Sequence, residues 1–405
     1  MPRLSPLIYL DNNATTAVAP EVLDAMMPYL RDQYGNPSSM YSFGGAAHKA
    51  IDKAREQVAS LLGANPEEIV FTSCGTESDS TAILGAFEAL PEKRHFITSR
   101  VEHSAVIAMG QYLERKGYRV TYLDVDGKGQ ISLEQLDKAI APDTGVVSLM
   151  YANNETGTVF PIPEAAALLK DRGIPFHVDA VQAVGKIPLD LSTLPLNYLA
   201  MSGHKLHAPK GVGVLYVRRA SPFRPFLRGG HQEFGRRAGT ENVPYIVGLG
   251  AACELAGKHI REENTRVKAL RDKLETGLLR AVPEARVNGD TEKRLPNTTN
   301  ISFKYVEGEA ILLLLDQEGI CASSGSACTS GSLEPSHVLR SMGVPFTYAH
   351  GSVRLSLSRY TTEAEIDKTL EVFPRVITRL REISPYRDLP DDALPGAGNA
   401  CACGI

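Results

Sequence analysis

Short, continuous apolar runs alternate along this chain with longer stretches in which apolar residues recur at helical spacing. The runs at 8–10, 69–72, 96–98, 119–123, 146–151, 174–178, 198–201 and 211–217 predict strands. The periodic stretches over 21–34, 46–62, 81–90, 105–116, 133–140 and 164–170 predict helices. Two of them end in stop signals, Gly35-Asn36-Pro37 after the first and Gly63 after the second. Strand, helix, strand in repeated succession predicts an α/β fold whose mostly parallel sheet is covered by helices on both faces. A long helical stretch over 244–279 then becomes densely charged after His259. Strands near 300–303 and 352–357, with helices near 309–317 and 363–381, predict a smaller α+β domain. There is no internal repeat.

Open α/β sheets place ligands at the carboxyl ends of their strands, so the residues after each run carry the candidate chemistry. The run 174–178 leads to Asp179 and Gln182, and the run 198–201 to Ser202, His204 and Lys205. An acid at one strand end beside a lysine at the next suits pyridoxal phosphate. The lysine anchors that cofactor covalently, and the carboxylate keeps its ring nitrogen protonated. Each residue also has an ordinary reading, Asp179 as a helix cap and Lys205 as a solvated loop lysine. The small residues of Ser73-Cys74-Gly75-Thr76 open a helix, and its free N–H groups and positive dipole end suit a phosphate. His103 is placed to stack on an aromatic ring and exchange protons, or to be a hydrogen-bonded loop histidine. Asn154 is placed to bond cofactor or substrate, or only its own turn.

The polar, glycine-rich segment 228–242 has the composition of a functional or mobile loop. Small residues surround Cys328 in Ser323-Ser324-Gly325-Ser326-Ala327-Cys328-Thr329-Ser330, so it reads as an accessible thiol, whereas Cys321 reads as core. A thiol on such a loop can attack a bound substrate and carry away what it took. Arg354, inside an apolar strand, needs a carboxylate, either from the protein or from a substrate.

Composition narrows the classes. The chain has 405 residues, 43% hydrophobic and 22% charged, which excludes disordered and coiled-coil readings. A formal net charge of -4 gives no reason to expect nucleic acid or an anionic membrane as partner. Residues 1–10 lack a secretory signal, and the longest aliphatic run, 311–315, is too short to span a bilayer, so a cytoplasmic protein is expected. Six cysteines (Cys74, Cys253, Cys321, Cys328, Cys401 and Cys403) are too sparse for a disulfide scaffold. Cys401 and Cys403 alone make an incomplete ligand set, and no metal is expected.

Tyr9-Leu10-Asp11-Asn12-Asn13-Ala14-Thr15-Thr16, Gly35-Asn36-Pro37-Ser38-Ser39, Glu102-His103, Asn153-Asn154-Glu155-Thr156-Gly157, His177-Val178-Asp179-Ala180-Val181-Gln182, Ser202-Gly203-His204-Lys205, Arg237-Ala238-Gly239-Thr240 and the cysteine loop complete the pattern. In combination they resemble the cysteine desulfurases of the aminotransferase class V group, over nearly the whole chain. The cysteine loop resembles the branch of general iron–sulfur and nitrogen-fixation desulfurases. The glycine-rich loop and Thr329-Ser330-Gly331-Ser332-Leu333-Glu334-Pro335-Ser336-His337 lean to the nitrogen-fixation enzymes.

The resemblance implies the pyridoxal phosphate fold type I. A large cofactor-binding domain, 15–259, would hold a mostly parallel seven-stranded sheet. A small α+β domain, 1–14 with 260–386, would carry the cysteine loop, and 387–405 would be a disordered tail. A homodimer with its active site at the subunit interface is also implied. Lys205 would hold the cofactor covalently, Asp179 would pair with its ring nitrogen, Gln182 would bond its phenolic oxygen, and His103 would stack on the ring. Gly75, Thr76, Ser202 and His204 would cradle the phosphate, with Thr240 reaching in from the other subunit. Asn154 and Arg354 would grip the substrate carboxylate, and Cys328 would be the nucleophile.

The implied reaction turns L-cysteine into L-alanine and leaves sulfur on Cys328 as a persulfide. An iron–sulfur scaffold protein, NifU- or IscU-like, would take that sulfur for cluster assembly. Phe234 departs from the family, which usually has a polar or charged residue there. The alternatives are a selenocysteine lyase, another pyridoxal phosphate-dependent C–S lyase, or a non-enzymatic sulfur carrier. The last leaves Asp179, Gln182 and Lys205 unexplained.

Overall fold

A computed structural model describes residues 7–324 and 335–384. In chain order its strands are β1 (Ile8–Tyr9), β2 (Ile69–Thr72), β3 (His95–Ser99), β4 (Arg119–Leu123), β5 (Thr144–Met150), β6 (Phe176–Asp179), β7 (Tyr198–Ser202), β8 (Gly213–Val217), β9 (Ala285–Val287), β10 (Thr298–Phe303), β11 (Ile320–Cys321) and β12 (Ser352–Ser356). Seven of them form one sheet in the order β2-β8-β7-β6-β5-β3-β4. Only β8 runs against the rest, pairing antiparallel with both neighbours. All six other strands therefore point their carboxyl ends to one edge, as the alternation of runs and periodic stretches predicts.

Continuous apolar runs become strands buried on both faces because helices cover both sides. Every residue of β2, β3, β5, β6, β7 and β8 is buried, while the edge strand β4 begins exposed. Glycine at 213 lets β8 enter between β2 and β7. A Cβ there would stand 2.8 Å from the Cys74 carbonyl carbon and 2.9 Å from the Met201 oxygen. Gly63 ends the helix Ser42–Leu62 in the left-handed conformation that side chains disfavour.

A separate three-stranded antiparallel sheet, β12-β10-β9, and the parallel pair β1-β11 complete the sheet structure. Ile8, Leu10, Val267, Leu274, Phe303, Leu355 and Phe373 share a second core with them. Val338, Leu339, Met342, Val344 and Ala349 instead return to the first core, which contains the central strands.

The stretch expected as one helix over 244–279 is two helices, Val243–Glu262 and Lys268–Ala281, joined by a π turn at Glu263–Val267. The wider turn rotates the buried face, so that Ala256 packs in the first core and Val267 and Leu270 in the second. The helix expected over 81–90 begins earlier, at Gly75, so Ser73-Cys74 alone makes the turn. The short strands β9 and β11 and the short helices His337–Ser341 and Phe346–Ala349 escape periodicity, which needs a longer window. Cys321 is half-buried in β11 rather than fully in a core. Among the described residues no helix is long and apolar enough to cross a membrane.

Candidate active site

Carboxyl ends on the common edge deliver the candidate residues. β6 ends on Asp179, which is 6% exposed and accepts a hydrogen bond from the Val181 N–H at 3.0 Å. β7 ends on buried Ser202, and the 3-10 turn Gly203–Lys205 follows directly. β2 leads through Ser73-Cys74 into the helix Gly75–Ala89, placing Gly75 and Thr76 in its first turn. After β3, His103 caps the helix Ser104–Arg115, its Nδ1 accepting from the Ala105 N–H at 3.2 Å.

Asn13 gathers the segments that follow β5, β6 and β7, although it lies at the far end of the chain. Its carbonyl accepts from Lys205 Nζ at 2.6 Å and from Gln182 Nε2 at 3.0 Å. Lys205 Nζ also donates to the Ala14 carbonyl at 2.7 Å. The Asn13 amide donates to the Asn154 carbonyl at 3.2 Å and to Thr298 Oγ1 at 2.9 Å. Its side-chain oxygen accepts from Lys186 Nζ at 3.1 Å and Asn297 Nδ2 at 3.2 Å. Arg354 reaches the same place, donating to the Asn154 carbonyl at 3.0 Å and pairing with Asp11 at 2.8 Å. The carboxylate that Arg354 needs is thus supplied by the protein's own Asp11. Asn153 has the turn role, accepting from the N–H groups of Glu155 and Thr156.

Burial sets the electrostatics. It raises the Asp179 carboxyl above its usual range, while His103 and Lys205 pull it back. Burial lowers the His103 ring, with Lys205 lowering it further and Asp179 opposing both. Behind Asp179, burial pushes Glu102 up to about 8 and raises Asp79 well above the carboxylate range, with Asp179 adding to both. His177, bonded to Ser148 at 2.8 Å, is pushed down to about 3 by burial. His204 falls to about 4 through burial and the nearby lysines, and its Nδ1 meets Thr15 Oγ1 at 3.1 Å.

Thr240 is exposed and lines a different cavity, with Ser73, Gly211 and Arg237. Its loop is pinned at two points. Arg237 pairs with Glu77 at 2.8 Å, and buried Glu233 takes Arg55 in a two-pronged pair at 2.8 Å for each prong. Glu233 and Phe234 both adopt positive φ, 49° and 58°, an unfavourable backbone for residues with side chains. The Phe234 ring is 63% exposed and lies against the guanidiniums of Arg55 and Arg236.

Cys328, Cys401 and Cys403 lie outside the described residues. The flanks of the Cys328 segment are described and return to the site. Ser323 pairs with Arg354 through backbone bonds at 2.7 and 3.2 Å. Ser336 donates to Glu155, and the His337 ring meets the Glu102 carbonyl at 3.0 Å.

The sequence reading missed Asp11, Asn13, Lys186 and Glu102 as members of this network. A lysine amid Ala183-Val184-Gly185 and Ile187-Pro188 was the available signal for Lys186. Asn13 had only its place in a polar turn after a strand.

The family model for aminotransferase class-V matches residues 8–369. The chain is 63% identical to a cysteine desulfurase of Trichormus azollae over 382 residues, covering 94% of this chain and 96% of that one. It is 60% identical to the cysteine desulfurase NifS of Azotobacter vinelandii over 380 residues, 94% of each chain. A solved NifS-like protein superposes with a TM-score of 0.88 at 41% identity, covering 93% of this chain and all of the other. A strand edge that brings a lysine and a buried acid together, carried on that fold and backed by relatives of this similarity, leads to one assignment: the chain belongs to the aminotransferase class-V family, among its cysteine desulfurases.

Proposed function

We propose that the chain takes L-cysteine to L-alanine with pyridoxal phosphate as cofactor, storing the sulfur on Cys328. The observation that carries this reading is the convergence of Lys205, Gln182 and Asp179 on one sheet edge. The residues fit the cofactor. Asp179 is buried, its carboxyl raised by desolvation, and a protonated ring nitrogen supplies the cation it needs. Gly75 and Thr76 offer helix N–H groups suited to a phosphate.

Bound there, pyridoxal phosphate supplies the electron sink for removal of the Cα proton. Lys205 would anchor the cofactor and take that proton. Asp179 would keep the ring nitrogen protonated, Gln182 would donate to the phenolic oxygen, and His103 would lie against the ring and exchange protons. Gly75, Thr76, Ser202 and His204 would hold the phosphate, joined by Thr240 from a second copy in a homodimer. Asn154 and the remaining donors of Arg354 hold the substrate carboxylate. The Cys328 thiolate attacks the substrate sulfur: an S–S bond forms, the C–S bond breaks, and its electron pair stays with carbon, which is protonated to alanine. The enzyme is left as a persulfide, so the thiol and cysteine become persulfide and alanine with atoms and electrons balanced.

The division into 15–259, and 1–14 with 260–386, is proposed on the same footing; the second core supports it, while 338–349 packs against the first. A cytoplasmic enzyme that passes sulfur to an iron–sulfur scaffold protein is the setting we infer. The NifS relative supports a role in nitrogenase cluster maturation.

Single-turnover sulfur transfer tests the reading. Purified protein with labelled L-cysteine and no reductant releases alanine and retains label, and Cys328→Ala retains none. Equal release of free sulfide by both proteins overturns the role of Cys328.

A further inference from the structure

Lys186 has no part in the chemistry above, yet it is buried to 6% exposure directly behind Lys205's acceptor. Its Nζ donates to Gln182 Oε1 at 2.9 Å and to Asn13 Oδ1 at 3.1 Å. Both acceptors are amides, whose two ends differ in hydrogen-bonding sense. At Gln182 the two neighbours agree: the ammonium requires oxygen on its side, and the Asn13 carbonyl requires nitrogen on the other. A flipped amide would set oxygen against oxygen and nitrogen against nitrogen. Asn13 is fixed in the same way, Lys186 and Asn297 donating to its oxygen while its nitrogen faces Asn154 and Thr298.

Burying a lysine here is costly. Burial pushes its pKa down to about 7, and Lys205 and Arg354 push in the same direction. Glu263, on the π turn, opposes them, and Asn264 of the same turn donates to the Lys186 carbonyl at 2.9 Å. An apolar side chain of similar length would fill the space without this cost, so packing does not explain the residue.

Resting on the cofactor reading above, we propose that Lys186 is a positioning residue: it holds the Gln182 amide with its nitrogen toward the cofactor's phenolic oxygen. That oxygen is an acceptor, so only the nitrogen end of Gln182 can serve it, and Lys186 acts with the Asn13 carbonyl to exclude the other orientation. The π turn that carries Glu263 and Asn264 holds Lys186 in place from behind.

The test uses the loaded enzyme and a thermodynamic cycle over Lys186→Met, Gln182→Met and the double variant. Two quantities are read besides turnover: cofactor affinity, by titrating the apoprotein with pyridoxal phosphate, and the pH midpoint of the bound cofactor's visible band. For Lys186→Met, affinity falls about tenfold and the midpoint rises by about half a pH unit, because a donor to the phenolic oxygen is lost. The double variant matches Gln182→Met within about twofold, the non-additivity expected of residues acting through one another. Additive losses, or a Lys186→Met midpoint equal to wild type, overturn the proposal. Should Lys186→Met not fold, the same cycle with Lys186→Gln decides by the same criterion. A wild-type protein that binds no pyridoxal phosphate overturns the cofactor reading and this proposal with it. A wild-type band that Lys186→Met leaves unmoved overturns this proposal alone.

Discussion

Around Glu275, buried carboxylate charge is matched by nearby partners, although Arg294 Nε is left without a hydrogen bond. Arg294 grips the carboxylate in two prongs at 2.5 and 2.7 Å, and Thr299 donates at 2.6 Å. These partners hold the Glu275 carboxyl below its usual range despite burial. Arg271 alongside is 2% exposed and donates to the Leu295 and Thr298 carbonyls and to Asp272. Around Asp179 the balance is reversed. Asp179, Asp79 and Glu102 are all raised by burial; Glu102 Oε2 lacks a hydrogen-bond partner, and Asp79 Oδ1 and His177 Nε2 face each other at 3.5 Å without a hydrogen bond. The first cluster is arranged to stabilise the fold. The second disfavours ionisation of its carboxyls by burial and leaves polar atoms without hydrogen bonds at the sheet edge, where a cationic ring can pair with Asp179, and strongly perturbed groups in such a place mark function.

The sharpest break between the two is Asp179→Asn. Alanine formation falls by at least about 10³-fold, roughly 4 kcal/mol of barrier. The unloaded protein melts no lower than wild type, because the neutral amide avoids the desolvation that raises the acid. Loss of melting temperature alongside activity would erase the distinction between the clusters.

Glu275→Ala does the opposite. It strands Arg294 and costs about 3 kcal/mol of stability, seen in the urea midpoint, while turnover per folded molecule at low urea stays at the wild-type value.

Asn13 touches both regions, bonding Thr298 and Asn297 on one side and Lys186 on the other. Asn13→Ala therefore lowers both properties, by about 2 kcal/mol in stability and about tenfold in turnover.

The last effect concerns pH. Glu102 holds its proton in the fold up to about pH 8, whereas the unfolded chain releases it near 4. A raised folded pKa contributes stability that is full below the unfolded value and is lost as pH rises through the folded one. Glu102→Gln removes that loss. Its melting temperature lies within about 1 °C of wild type at about pH 5 and exceeds it by about 5 °C at pH 8. A constant offset across this range would show that Glu102 is ionised in the fold.

Much of this was legible in the sequence, for a physical reason. Strands such as Thr144–Met150 and Tyr198–Ser202 are buried on both faces and so are written as largely apolar runs without polar alternation; the residues after them must fall on one edge once the strands are parallel. Asp179 and Lys205 were found that way. The π turn was not, because its helical spacing blends into that of its neighbours.

What the sequence determined was the succession of strands and helices, the edge where their polar ends collect, and the residue types available there. The tertiary structure decided which of those residues meet. Lys205 bonds a carbonyl 192 residues away, and Arg354 finds its carboxylate 343 residues away. Lys186 turns inward only because Asn13 and Gln182 present oxygens to it. Hydrogen bonds act over about 3 Å whatever the separation along the chain, so local pattern cannot announce a partner that folding alone brings near.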